Sequence, residues 1–252
     1  NHFDLAIVDP PYGINISKTG NVGGEKLAKV KDYGKKEWDS EIPTPEYFKE
    51  LQRVSKNQVI FGGNYMIEHL QNTPCFIIWD KNNSGNFADA ELAWTSFDTA
   101  TRIFKSTWNG MIQHDMKNKE IRIHPTQKPI RLYEWLLMNY AKEGDKIIDT
   151  HGGSLSLAIA CHNLGYDLTA CEIDKEYYEA GLKRLEQHQS QLCKAMEENK
   201  FVIIDLRNMD YMKDEEGNIN YYDTLLDAAN VCGIYEFEDA WVMELKYNHK
   251  ED

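Results

Sequence analysis

The chain has 252 residues, 42% of them hydrophobic, enough to close a sizeable core as one large domain or one domain with an appendage. Its five cysteines are odd in number and lack C-x-x-C spacing, which argues against a disulfide framework and a zinc site and fits a reducing cytoplasm; no apolar run approaches the roughly 18 residues of a membrane span. The net charge of −13 is uneven: residues 195–252 hold 15 Asp/Glu against five Lys/Arg, whereas Ile14 to Trp38 and Arg102 to Arg131 are net basic, suited to phosphate contacts or to solvated loops.

Phe3 to Val8 reads as a buried strand that runs straight into Asp9-Pro10-Pro11-Tyr12-Gly13, where two prolines without N–H groups must end the ladder. A Gly/Lys-rich stretch from Ile14 to Trp38 follows, then a helix opened by Thr44-Pro45-Glu46 with Tyr47, Phe48, Leu51 and Val54 on one face. Val59 to Phe61 is a short strand closed by Gly62-Gly63-Asn64, and a helix is expected over Tyr65 to Leu70. Phe76 to Trp79 is a further strand, and Asp89 to Phe97 with Arg102 to Phe104 reads as less regular strands and loops. From Pro129 the pattern is regular: helix Ile130 to Tyr140, strand Lys146 to Ile148, a Gly-rich turn, helix Leu155 to Leu164, strand Asp167 to Cys171 and helix Lys175 to about Gln191. Alternation of this kind predicts an α/β fold, a mostly parallel twisted sheet with helices on both faces and ligands beyond the carboxyl ends of the strands.

That rule singles out Asp149-Thr150-His151-Gly152-Gly153-Ser154, where glycines admit a ligand close to the backbone ahead of a helix N-terminus, and Glu172 at the end of the next strand, where a carboxylate can accept both hydroxyls of a ribose. No G-x-G-x-x-G fingerprint for a dinucleotide is present.

Taken in order, Asp9-Pro10-Pro11-Tyr12, Phe61-Gly62-Gly63-Asn64, His124-Pro125-Thr126-Gln127-Lys128-Pro129, Asp149 to Ser154 and Cys171-Glu172-Ile173-Asp174 resemble the motifs of the DNA amino-methyltransferases, over roughly residues 3 to 190. With the D-P-P-Y motif ahead of the cofactor loop, the chain resembles the circularly permuted beta class acting on the exocyclic amine of adenine. The resemblance implies a Rossmann-like methyltransferase fold, S-adenosylmethionine as cofactor, no metal, and duplex DNA as partner. It leaves open a homodimer and a cognate restriction endonuclease. It implies that Asp9, Pro10, Pro11 and Tyr12 act on a flipped base and that Thr126, Lys128, Pro129, Asp149, His151, Gly153, Ser154 and Glu172 hold the cofactor, with the Lys128 ammonium on its carboxylate. A mobile loop is implied over Ile14 to Trp38 and base recognition over residues 82–122, where most aromatics are expected in the core. The methyltransferase domain is expected over 1–194 and an acidic extension over 195–252.

Two features depart from the family pattern. The cofactor loop, usually G-S-G, reads Gly153-Ser154-Leu155, so the loop is expected to take another path or the pocket to be partly blocked. The strand and helix that usually precede the catalytic motif are missing, and Phe201 to Asp205 reads either as a substitute or as a separate peripheral strand. Methylation of cytosine N4 or another amine, or a DNA-binding homologue with a decayed cofactor loop, are the alternatives.

Overall fold

A computed structural model describes residues 2–19, 21–22, 31–32, 34, 36–83, 88–109, 112–197, 201–205, 210–211 and 240–244. In chain order the elements are β1 (Phe3–Val8), β2 (Asn21–Val22), β3 (Lys31–Asp32), α1 (Pro45–Val54), β4 (Ser55–Phe61), β5 (Phe76–Asp80), β6 (Ala90–Thr95), β7 (Arg102–Lys105), β8 (Trp108–Asn109), β9 (Ile112–Gln113), α2 (Ile130–Tyr140), β10 (Lys146–Asp149), α3 (Ser156–Leu164), β11 (Asp167–Ala170), α4 (Lys175–Glu197), β12 (Phe201–Asp205), β13 (Asp210–Tyr211) and β14 (Ala240–Glu244). The chain divides into two compact units, Asn1–Leu182 and Lys183–Asp252, parting within α4.

The first unit is built on a seven-stranded sheet of order β11-β10-β1-β4-β6-β5-β7. β1 runs parallel to both neighbours, with Leu5 opposite Ile147 of β10 and Val8 opposite Ile60 of β4. Only β6 runs against its partners. The period of two in β1 then sorts its side chains: Leu5 and Ile7 face a core with Leu132 and Leu136 of α2 and Leu157 of α3, while Ala6 and Val8 face a second core with Phe48 and Leu51 of α1. All four are buried, so the apolar run that predicted a strand covered on both sides is explained by helices on both faces. Full burial of a Leu or Ile side chain contributes about 1.5–3 kcal/mol, which fixes the register of the strand that carries the double proline.

Two local expectations are corrected. Tyr65 to Leu70 is not an α-helix but two single turns of 3₁₀ helix, Gly63–Tyr65 and Ile67–His69; Gly62 enters them in the left-handed region at φ 67°, and Pro74 follows too soon for a longer helix. The segment 89–105 is more regular than its sequence suggested, because β6 and β7 pair along both edges of β5. In the second unit, Phe201 to Asp205 forms the middle strand of a separate antiparallel sheet of order β13-β12-β14. Among the described residues no helix is long and apolar enough to cross a membrane and no cluster of His, Cys, Asp and Glu is arranged to hold a metal.

Candidate active site

β1 and β10 are adjacent, yet the chain leaves them toward opposite edges, through β4 on one side and β11 on the other. An α/β sheet opens a crevice at the carboxyl end of such a reversal. Asp9 and Asp149, at or just past the ends of these two strands, are therefore brought together by topology although 140 positions separate them.

The turn after β1 is held by a residue that no periodic signal marked. Asp39, buried, accepts N–H bonds from Tyr12 at 2.8 Å and Gly13 at 3.1 Å through Oδ1, and from Ile16 at 2.9 Å through Oδ2. One carboxylate thus satisfies three donors that the prolines and the turn leave without a ladder. Tyr12 donates its hydroxyl to Asp9 at 2.7 Å, and its ring lies almost parallel to Tyr65, centroids 5.1 Å apart at 16°. Gly62 makes the space: a Cβ there would lie 2.2 Å from Tyr12 Cε1.

Lys128, 3% exposed, places its ammonium on Asp9 Oδ2 and within 3.3 Å of Glu91 Oε2. Glu91, from β6, also pairs with Lys81 through Oε1. An alternating chain of charges, Lys81, Glu91, Lys128, Asp9, therefore lines this wall. Burial pushes the Asp9 carboxyl up, with Lys128 pulling against it. Burial opposes the Lys128 charge, but Asp9 and Glu91 outweigh it and its pKa is raised. Burial also raises the Tyr12 phenol, so it remains a neutral donor. These side chains, with Tyr65, Trp79 and Trp108, border a cavity of about 320 Å³.

Thr126 also lines this cavity; its Oγ1 lies 3.1 Å from His124 Nδ1. His124 sits against Tyr177 at 4.2 Å and Trp38 at 5.2 Å, and burial pushes its pKa down to about 3. Pro129 caps α2 at φ −69°, ψ 145°. Ser156 donates to the Lys128 carbonyl at 2.8 Å and approaches Ser154 Oγ at 3.0 Å, which ties the start of α3 to the 124–129 loop.

The second cluster forms around the turn after β10. Asp149, buried, accepts the His151 N–H at 2.9 Å, and burial, then repulsion from Asp9 and Glu172, pushes its carboxyl up to about 7. His151 is driven down to about 4 by burial; its Nδ1 lies 2.9 Å from Thr150 Oγ1, which meets Tyr47 Oη at 2.6 Å. Glu172 accepts N–H groups from Gly153 at 2.6 Å and Asp174 at 2.7 Å. Beside it Ile173 is 95% exposed, a bare apolar surface at the rim.

Leu155 takes the left-handed conformation itself, at φ 54°, as the cap of α3. Its side chain is buried and turned inward, where Gly152 and Gly181 leave room: a Cβ at either position would come within 3 Å of it. It therefore packs into the core instead of projecting past the loop.

Of the residues expected to act together, Asp9, Tyr12 and Lys128 meet within 3.4 Å, so in this structure the Lys128 ammonium is on Asp9 where a cofactor carboxylate was expected. Asp149, His151, Gly153 and Glu172 form the second group. Of the tryptophans in the 82–122 region, Trp94 belongs to the core and Trp108 both to the core and to the cavity wall, its indole donating to the Gln127 carbonyl at 2.8 Å. Sequence reading missed Asp39, Glu91 and Lys81. Glu91 did leave a signal, a carboxylate inside the mainly apolar run Ala90-Glu91-Leu92-Ala93-Trp94, which a strand tolerates only with a partner.

Within the expected Ile14 to Trp38 loop, Lys36 pairs with Asp174 at 2.6 Å and Glu176 at 2.7 Å and lies 4.5 Å over the Tyr177 ring. The loop residues 23–30 lie outside the described residues.

The mostly parallel sheet with its order reversal, and the two acid-bearing turns that meet there, define a Rossmann-like α/β fold with its crevice at the reversal. Residues 79–183 match the family model for N6 and N4 methyltransferases, described as DNA methylase. The chain is 39% identical to the type II methyltransferase M.HpaI of Haemophilus parainfluenzae over 69 residues, 27% of this chain and 22% of that protein. It is 23% identical to the type II methyltransferase M2.DpnII of Streptococcus pneumoniae over 223 residues, 73% of this chain and 82% of that one. A solved structure of M1.HpyAVI in complex with S-adenosylmethionine is similar over 72% of this chain and 88% of its own, with 23% identity and a TM-score of 0.43.

Proposed function

We propose that this chain transfers a methyl group from S-adenosylmethionine to the exocyclic amine of an adenine flipped out of duplex DNA. The observation that carries the reading is Asp9 itself, a carboxylate fixed at the end of a central strand between a tyrosine hydroxyl and an ammonium, on the wall of a cavity of about 320 Å³, a size suited to a small planar molecule.

An aromatic amine is a weak nucleophile because its lone pair is delocalised into the ring. Asp9 and the Pro10 carbonyl accept its two N–H bonds, which favours a pyramidal nitrogen with its lone pair free. The prolines and the three bonds to Asp39 fix both acceptors beforehand, so attack is a positioned displacement that needs no strong base. Tyr12 supplies the face on which the extruded ring stacks. When bound, the cofactor supplies a sulfonium methyl group as electrophile.

The residues present fit that cofactor. Glu172 is the ribose acceptor, the exposed Ile173 beside it meets the adenine, and Leu155, packed against Gly152, is buried. Asp149 lines the side toward Asp9. Pairing with the methionyl carboxylate requires Lys128 to leave Asp9 at least in part.

Aspartate at the head of D-P-P-Y favours adenine; among resembling enzymes the cytosine ones more often carry serine there. The test is mass analysis of nucleosides from duplex DNA incubated with the protein and labelled cofactor. N6-methyladenine is expected, N4-methylcytosine would move the reading to the other base, and an unlabelled digest with tight cofactor binding would leave a non-catalytic homologue.

A further inference from the structure

The Lys128 ammonium is hydrogen-bonded to Asp9 but reaches Glu91 Oε2 only at 3.3 Å, and that buried oxygen has no hydrogen-bond partner. The arrangement is lopsided. One carboxylate holds the ammonium closely, with its other oxygen taken by Tyr12, while a second carboxylate on the far side has an acceptor atom open and its remaining oxygen fixed by Lys81. The open Glu91 oxygen already faces the ammonium as a longer ion-pair partner, so a small shift of the ammonium gives it a second seat. It also has a reason to use it: in the proposed reaction the target amine needs the Asp9 lone pairs that Lys128 occupies.

We infer that Glu91 is a positioning residue that shares the Lys128 ammonium with Asp9 and draws it aside when the target amine arrives, so that Asp9 is freed without leaving a buried cation unpaired. The inference rests on the role of Asp9 proposed above. Three features support a shared seat over a static ion pair. Glu91 comes from β6, the antiparallel strand of the seven-stranded sheet, and lines the cavity with Asp9 and Lys128. Lys81 anchors Glu91 through the oxygen that does not face Lys128. The lysine stem lies beside Phe61, 4.6 Å from the ammonium to the ring centroid, and Tyr12, 5.8 Å, so the cation keeps contact with aromatic faces in either seat. Removing one carboxylate should therefore trap Lys128 on the other.

The experiment is single-turnover methylation of duplex DNA by the full chain, with cofactor and DNA affinities measured in parallel. Glu91→Gln is expected to slow transfer at least tenfold while both affinities stay within twofold, and Glu91→Asp, which keeps the charge but withdraws the acceptor, to slow it in the same direction. In a Lys128→Met background, compared at saturating cofactor because Lys128 also serves the cofactor carboxylate, the Glu91→Gln substitution should change the rate less than twofold, because there is no ammonium to trap. Unchanged transfer in Glu91→Gln, or equal losses in both backgrounds, overturns the inference. If Glu91→Gln fails to fold, Glu91→Asp alone decides by the same rate criterion. Asp9→Asn in the same assay separates the two levels: full activity there refutes the proposed role of Asp9, whereas its loss beside an unaffected Glu91→Gln refutes only the sharing.

Discussion

Gly62→Ala isolates the stacking surface from everything else in the site. The residue sits at φ 67°, and its added Cβ would lie 2.2, 2.5 and 2.6 Å from Cε1, Cδ1 and Cζ of Tyr12. The left-handed backbone alone costs an L side chain about 1–2 kcal/mol. The clash is more consequential, because three ring atoms must retreat by roughly 1 Å to reach ordinary contact, and the ring is held on one side by Tyr65 and at its tip by the 2.7 Å bond to Asp9. It cannot move without leaving one of them. If Tyr12 stacks on the extruded base, displacing it removes about 1–3 kcal/mol, which is roughly a 5- to 150-fold loss in single-turnover methylation. Cofactor affinity should stay within twofold, since Glu172 and the Gly152-Gly153 turn touch neither ring. Combining Gly62→Ala with Tyr12→Ala supplies the control: with the ring gone, the glycine substitution should cost only its backbone strain. Parental methylation by folded Gly62→Ala, or a loss confined to cofactor binding, would refute the stacking role.

Asp9→Ala should abolish transfer with cofactor affinity changed no more than a few-fold, measured by labelled methyl incorporation and calorimetry; residual turnover sinks the role of Asp9. Asp39→Ala removes one acceptor shared by three backbone donors, and with bonds to charged groups each contributing about 1.5–3 kcal/mol it should lower both stability and transfer, seen as a drop in Tm and kcat; a fully active variant would mean that the turn holds itself. Leu155→Gly relieves left-handed strain but empties a buried site, and since core Leu→Ala losses run at about 2–5 kcal/mol against about 1–2 for the backbone, Tm should fall; a rise would show that strain dominates. Asp149 has its folded pKa raised to about 7, so the folded state binds the proton more tightly and stability is lost as pH rises from the ordinary carboxyl range through 7. Asp149→Asn should therefore melt above the parent at pH 8, with the gap closing toward pH 4; an equal gap at both values refutes this.

Legibility followed locality. β1, β10 and the helices from Ile130 onward were readable because their apolar periods are long and their ends are marked by proline or glycine. Resemblance singled out Asp9 and Tyr12 for the target base and Lys128 for the cofactor, but the ammonium's seat on Asp9 was not legible, because it depends on two loops 119 positions apart meeting at an order reversal. Asp39 acts through three backbone donors, a use that leaves no trace in residue type. Tyr65 to Leu70 was misread because four apolar or aromatic residues in a short window mimic a helical stripe, whereas Gly62 and Pro74 allow only single turns.

β1 is paired along both edges, while the segment that follows the Asp9 turn reaches the start of α4 through Lys36, which pairs with Asp174 and Glu176, of which Glu176 is 82% exposed. The strand and this ion-paired segment thus differ in what it takes to release them. Amide protons of β1 exchange only when the whole sheet comes apart, whereas an ion pair near solvent weakens with ionic strength. The Lys36 pairs can therefore be released with the acid and its prolines staying in place. Added salt should weaken the Lys36 pairs while leaving hydrogen exchange in Leu5 to Val8 unchanged.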